Sequence, residues 1–454
     1  MTDRLLDGRG VMVPAAGLSV LLAFAAARSP VLALAALASV LLLLFVFAWA
    51  EALLLVLLAA LPWESLLKYP TETVSAVKLL GLLLLGAWAL RVLQPGRPLR
   101  LPSTLIPVIA LGFMVAVSFV VSPDTSVGMD KVLRYALFIA FFFLIVQLVT
   151  TRSSAKRVVR VLVLSATGAA LWALVAFLSG SLERAGGPIE DPNDFAFLIA
   201  TVLPLSGYLW IEDRSRRLLW GSCFALQAAA TLATLSRGAL VGLGALTVWA
   251  IVSRRIPIAG VLAGFVTVVG LVFVALAFWG PVVNEQVERK EKVQGENATS
   301  RLAYWDAALR MSYDRPITGV GPGRFGEEAE TYVRNAPVAL THPVAHNSYL
   351  EILAESGVLA LGFFLAYLIG TWRFLRRTCR ASMLDADADG VRLATALQAS
   401  FVVAVVGGFF LSQQLALPLW LIGALAAALA GAPVAAESRG FAAARPRPGA
   451  PAAA

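Results

Sequence analysis

Long apolar runs separated by short polar loops organise most of this chain. They fall at roughly 11–27, 31–62, 74–93, 103–122, 130–150, 158–179, 193–211, 217–234, 237–252, 257–279, 347–372, 391–411 and 413–432. A helix needs about 20 apolar residues to cross a bilayer, so the pattern predicts about 12–14 transmembrane helices. The 31–62 run is too long for one ordinary crossing and carries Glu51 in its middle, which suits a tight helical pair or one broken helix. No strand pattern and no internal repeat stands out, so the expected fold class is all-α.

The polar positions between the runs give the orientation. Arg152, Lys156, Arg157 and Arg160 form one basic cluster; Arg214, Arg216 and Arg217 a second; Arg254 and Arg255 a third; Arg373, Arg376, Arg377 and Arg380 a fourth. Basic residues in short loops stay on the cytoplasmic side. All four can do so together if each intervening pair of spans is a hairpin. The loop 180–192, the turn at Ser236-Arg237-Gly238 and the long segment 280–346 then face outward. The expected organisation is a transmembrane scaffold over 1–279, a loop domain over 280–346, C-terminal transmembrane helices over 347–432, and a disordered cytoplasmic tail over 433–454 rich in Ala, Pro and Arg.

Composition fits this reading. The chain has 454 residues, of which 59% are hydrophobic and 14% charged, whereas soluble domains carry about 25% charged residues. The net charge of +9 lies mainly in loops beside apolar runs, so it encodes topology rather than nucleic-acid binding. Cys223 falls in an apolar run and Cys379 in an expected basic loop, which argues against a disulfide or a metal site. The N-terminus lacks a clear cleavage site, so the first apolar run is expected to be retained.

The segment 280–346 is the one sizeable polar region. Asn284 to Glu296 alternates in charge and suits a solvated helix. A second helix is expected from Ser300 to Tyr313, with Ser300 as its cap and Leu302, Trp305, Ala308, Leu309 and Ser312 along one side. Arg315 to Phe325 then packs three glycines and two prolines into a shaped, irregular loop. Such backbone is tolerated only outside the hydrocarbon or along water.

The chemistry concentrates nearby. Both histidines of the chain, His342 and His346, sit in one five-residue window before an apolar run. Histidine exchanges protons near neutral pH, which suits a general base; an interfacial histidine that caps a helix is the alternative. Their spacing of four suits two metal ligands, but Pro343 intervenes and no motif completes the set, so no metal or cofactor is expected. Glu351 and Glu355 lie one turn apart on a helix that starts near Asn347. They either orient an arginine or acceptor hydroxyl, or favour the helix dipole. Arg237 lies between two apolar runs with almost no loop around it. A charge there faces a cavity, a partner or the interface, and guanidinium forks match phosphate oxygens. Arg301, ahead of Trp305 in the polar segment, is a second candidate, although an exposed arginine on a polar loop is ordinary. Asp191-Pro192-Asn193-Asp194 opens a helix, with Asn193 as its expected cap and side chains suited to sugar hydroxyls.

The sequences DPNDFA, TLSRGAL, SRLAYWDAALRM, DRPITGVGPGRF and HNSYLEILAESG occur in this order between roughly 190 and 370. Together they resemble the bacterial O-antigen ligase and polymerase superfamily. The resemblance implies a multi-span, metal-independent glycosyltransferase of the bacterial inner membrane. It would take a glycan from an undecaprenyl-diphosphate donor and pass it, at the periplasmic face, to lipid A-core or another glycan. By that resemblance His346 matches the base, and Arg237 and Arg301 match the arginines that hold the donor diphosphate. His342, Asn193, Asp194, Tyr349, Glu351 and Glu355 are supporting positions. A polymerase that lengthens its own lipid-linked repeats is the alternative within the superfamily. A membrane transporter, argued from intramembrane charges and broken helices, is the alternative outside it.

Overall fold

The computed structural model describes residues 50–67, 75–92, 99–181, 184–189, 191–254, 300–333 and 344–431, with scattered positions between 258 and 280. The first expected span, the charged run Asn284 to Glu296, His342 and the C-terminal tail lie outside the described residues. Within them the chain is all-α, with no strand. The helices are α1 (Ala50–Ala60), α2 (Ala76–Val92), α3 (Leu105–Val121), α4 (Met129–Leu148), α5 (Arg152–Leu178), α6 (Pro192–Glu212), α7 (Arg217–Ala233) and α8 (Arg237–Ser253). They continue with α9 over 300–314, α10 (Phe325–Tyr332), α11 (Ser348–Leu384), α12 (Ala388–Gly407) and α13 (Leu417–Ala430). Among the described residues, α4, α5, α6, α11 and α12 are long and apolar enough to cross a membrane, and α2, α3, α8 and α13 are shorter apolar helices. The protein is a multi-pass membrane protein.

The helices form one bundle. Helix α6 packs on α7 and α12, and α11 on α3, α12 and α13. Small residues let backbones approach where side chains would collide. A Cβ on Gly242 of α8 would lie 3.1 Å from the Val403 carbonyl of α12. Aromatic rings fill the wider spaces: Tyr367 of α11 stacks on Trp420 of α13 with centroids 5.3 Å apart and donates its hydroxyl to the Leu419 carbonyl at 3.1 Å.

The two ends of the bundle differ in charge chemistry. At one end Arg152 pairs with Asp387, Lys156 with Asp389 at 2.5 Å, and Arg392 with Glu212 at 2.7 Å. Arg160 reaches Asp213 at 3.7 Å. The first basic cluster thus shares an end with the acids beside the second and just past the fourth, as hairpin connectivity requires. One boundary differs from expectation. Helix α11 continues to Leu384, so Arg373, Arg376, Arg377, Arg380 and Cys379 ride on helix rather than in a loop. No glycine or proline interrupts the chain between Thr371 and Leu384 to stop it.

Candidate functional site

The other end gathers the residues that the sequence singles out. Helix α11 starts there with Asn347 as its cap, whose side-chain oxygen accepts from the backbone N–H of Tyr349 at 3.0 Å and of Leu350 at 3.1 Å. His346, one residue earlier, adopts a left-handed φ of 45°. Such a φ is uncommon outside glycine, and it turns the chain sharply into the helix. Ser348 fixes the turn from the far side. Its N–H donates to the Gly408 carbonyl at 2.8 Å, its hydroxyl donates to the Leu411 carbonyl at 2.8 Å, and it accepts from the Gln413 N–H at 2.8 Å. The His-Asn-Ser triplet is therefore a tightly bonded junction between α11 and the 408–416 linker.

His346 is half-buried, and among the described residues its ring has no hydrogen-bond partner. Burial, and then the positive charge of Arg301, hold its pKa below the ordinary 6.5, against the opposing pull of Asp191 and Glu351. Arg301 itself opens α9, 45 residues upstream in a different element. Burial and the neighbouring Arg237 press the Arg301 guanidinium below its ordinary value, with Asp191 opposing. Arg301 thus lies within electrostatic reach of both His346 and Arg237. Arg237 is exposed at the N-terminus of α8, where Ser236 caps only weakly, with no side-chain hydrogen bond to the helix. The close approach of α8 to the 408–416 linker needs Gly238, because a Cβ there would meet Leu411 at 3.0 Å and Phe410 at 3.2 Å.

A third arginine joins them that sequence reasoning missed. Arg184, in the loop before α6, donates to the Thr234 carbonyl at 2.9 Å and to the Asn193 side chain at 2.8 Å. Burial and the charge of Arg301 lower its pKa, and Asp191 raises it. Arg301 therefore lies electrostatically close to both Arg184 and Arg237, with Asp191 the acid acting on Arg184 and Arg301. Among the described residues neither Arg237 nor Arg301 makes an ion pair or hydrogen bond. Their mutual repulsion is relieved when an anion with several oxygens binds.

The supporting positions sort differently. Asp191, not Asn193, caps α6: its carboxylate accepts from the Asn193 N–H at 2.6 Å, with Pro192 in the first helical turn. A proline there fixes its own φ for the helix, so the residue before it takes the cap. Asn193 instead accepts from Arg184, and Asp194 accepts a short hydrogen bond from Gln413. Tyr349 is buried, stacked near Phe409 at 4.3 Å, with its hydroxyl given to the Val405 carbonyl at 2.8 Å. Among the described residues Glu351 and Glu355 pair with a lysine rather than an arginine. Both are buried and share Lys131 of α4, at 2.5 Å and 2.6 Å.

The loop 315–324 explains the remaining glycines. Helix α11 breaks at Gly357, with φ 84° and ψ 177°. The loop supplies the hydrogen bonds lost at the break: the N–H of Val320 donates to the Ala354 carbonyl at 2.9 Å and that of Gly321 to the Glu355 carbonyl at 3.0 Å. In return the Val358 N–H donates to the Pro316 carbonyl at 2.8 Å. Gly319 and Gly321 have φ of 66° and 117°, and a Cβ on Gly319 would lie 2.3 Å from the Glu355 backbone. Helix α9 docks on the same assembly through Tyr304, Ala308 and Met311, against Phe325, Ala345 and Ala354. Leu302 and Leu309, expected beside Ala308, are exposed instead. The packing side is rotated because Tyr304 and Met311, rather than the leucines, face Phe325 and Ala354.

Among the described residues no three side chains of His, Cys, Asp and Glu gather as a metal-binding group. Residues 222–365 match a family model described as O-Antigen ligase. The matched stretch holds Arg237, Arg301 and His346 together with the 315–324 loop. No curated protein matches the chain.

Proposed function

We propose that this chain, whose residues 222–365 match an O-Antigen ligase family model, is a member of the O-antigen ligase and polymerase superfamily and transfers a glycan from an undecaprenyl-diphosphate donor to a sugar hydroxyl of an acceptor. The reaction runs at the periplasmic face of the bacterial inner membrane, and the acceptor is lipid A-core. The observation that supports this reading is that Arg301 acts electrostatically on both His346 and Arg237, three residues from separate elements. They lie at the bundle end opposite the basic clusters, which the positive-inside rule assigns to the cytoplasm.

The chemistry follows from the residues. A sugar hydroxyl is a weak nucleophile, and a base must remove its proton as the oxygen attacks the anomeric carbon. A histidine with a lowered pKa is neutral near pH 7, the form that accepts a proton. As the new glycosidic bond forms, the bond from the anomeric carbon to the diphosphate oxygen breaks. The departing undecaprenyl diphosphate gains negative charge, and Arg237 and Arg301 stabilise it. Arginine keeps its charge even where burial disfavours it. A single displacement inverts the anomeric centre. The prenyl tail lies among the apolar helices, outside the polar end.

Reconstitution in liposomes with lipid-linked donor tests this. Wild type is expected to transfer glycan to added lipid A-core, and His346→Ala to lose transfer at normal membrane insertion. Elongation of the lipid-linked donor with no product on lipid A-core would make the chain a polymerase. Full activity of His346→Ala would overturn the proposed base.

A further inference from the structure

Between Asn347 and Gly357, α11 is a short helical piece detached from the long span below it. This piece carries His346 at its head. It is held by four elements. Lys131 of α4 bridges Glu351 and Glu355 on successive turns. Ser118 of α3 donates its hydroxyl to the Glu355 carbonyl at 2.7 Å. The 315–324 loop bonds at Ala354 and Glu355, and the Phe325 N–H reaches the Glu355 carboxylate at 3.4 Å. The Gln414 side chain donates to Glu351 at 2.7 Å. Glu355 is 3% exposed and Glu351 7%, so these are interior contacts.

Two carboxylates and one ammonium leave this interior cluster one negative charge in excess if all are ionised. One oxygen of Glu351 is buried and has no hydrogen-bond partner. An orphan buried carboxylate oxygen is costly, and Lys131 is the cation that both carboxylates share. Both carboxylates lie on the detached piece headed by the histidine, Glu351 one turn and Glu355 two turns into it.

We propose that Lys131 is a positioning residue for His346. Through its double bridge to Glu351 and Glu355 it pins the detached helical piece 348–356 and fixes where the imidazole sits. The inference rests on His346 being the base. A misplacement near 1 Å costs on the order of 10²-fold in rate, so the clamp acts on turnover rather than on donor binding. Glu351 has a second effect, because its charge favours the protonated imidazole. The other charged groups acting on His346 are Arg301 of α9 and Asp191 before α6. The groups packed on the cluster are Tyr135 of α4, Ser412 and Gln414 of the linker, and the backbone of Gly323 and Phe325.

Two variants test the inference in reconstituted liposomes. Lys131→Met is expected to lower kcat about 10- to 100-fold with the donor KM changed less than about threefold, and Lys131→Arg to recover most of the loss. Glu351→Gln keeps a hydrogen-bonding oxygen for Lys131 and leaves one ammonium facing one carboxylate, so it is expected to fold. Its pH profile is expected to move the acid limb to lower pH, because a charge that favoured imidazolium is gone. If Lys131→Met does not insert, the Glu351→Gln profile decides. Wild-type kcat in an inserted Lys131→Met, or a Glu351→Gln profile that superposes on wild type, overturns the inference while leaving the base intact. An active His346→Ala removes the base instead and so separates the two failures.

Discussion

Trp305 of α9 donates its indole N–H to the carbonyl of Ala345, 2.9 Å away. That bond ties the helix headed by Arg301 to the residue just before His346. The two groups argued to act together, a cation and a base, are thus fastened by a side chain lying between them. Trp305→Phe keeps an aromatic ring and removes the donor. One hydrogen bond is worth about 1 kcal/mol net, so thermal stability should fall slightly. Turnover should fall more, about tenfold, because the left-handed turn at His346 loses an anchor. Initial rates at saturating donor, beside a melting curve, separate the two; an unchanged kcat would detach Trp305 from the site.

The lowered pKa of His346 sets a pH dependence. Burial and Arg301 disfavour imidazolium, so the acid limb of kcat/KM should lie below the ordinary 6.5. Removing the cation in Arg301→Gln should move the histidine titration back up. The sign for stability is the same. The folded state prefers the neutral ring, so the contribution is complete well above 6.5 and is lost as pH falls and the unfolded chain takes the proton first. The chain holds two histidines, so imidazole proton shifts followed by NMR in the His342→Gln background report His346 alone.

The arginines should be sensitive to shape as well as charge. A guanidinium holds two phosphate oxygens at once, and an ammonium holds them as a point charge. Arg237→Lys and Arg301→Lys should each lose about 10-fold in kcat/KM, and each alanine variant about 10²- to 10³-fold, in line with the removal of one stabilising donor. Initial rates over a range of lipid-linked donor give the comparison. Equal activity in lysine and arginine forms would mean the charge alone is used.

Much of this was readable from residue pattern. The apolar runs mark the helices within a few positions, as with 103–122 against Leu105–Val121 and 193–211 against Pro192–Glu212. The pairing of His346 with Asn347 before an apolar run marks a helix start, and the structure gives the cap to Asn347. Lys131 was not readable, because its partners lie 220 residues away and no local period links them. Arg184 sat unremarked in a glycine-containing loop, because its partners Thr234 and Asn193 belong to other elements. The 408–416 linker was narrowed to one residue because Phe409, Phe410 and Leu411 are as apolar as a span. The adjacent pair Gln413-Gln414 was the available signal, since two amides in an apolar run need partners, and they find Asp194 and Glu351.

Gly357 gives the sharpest structural prediction. Its backbone has φ 84° and ψ 177°, a combination reserved almost wholly for glycine. A Cβ there would stand 2.1 Å from the Ile317 carbonyl oxygen and 2.9 Å from that of Pro316. Neither atom is the free end of a side chain, so the loop must move and release its bonds to Ala354, Glu355 and Val358. Gly357→Ala should therefore cost about 1–3 kcal/mol in backbone strain alone, with the lost loop contacts added. The detached piece that presents His346 would then either straighten into the span or float, and transfer should be abolished in both cases. Gly362, five residues along the same helix, has nothing within 4 Å of an added Cβ. Gly362→Ala should be neutral or slightly stabilising, because alanine is the better helix former. Melting curves in detergent and transfer rates in liposomes on this pair decide the matter: equal behaviour of the two variants would mean that the break at Gly357 does not hold the site.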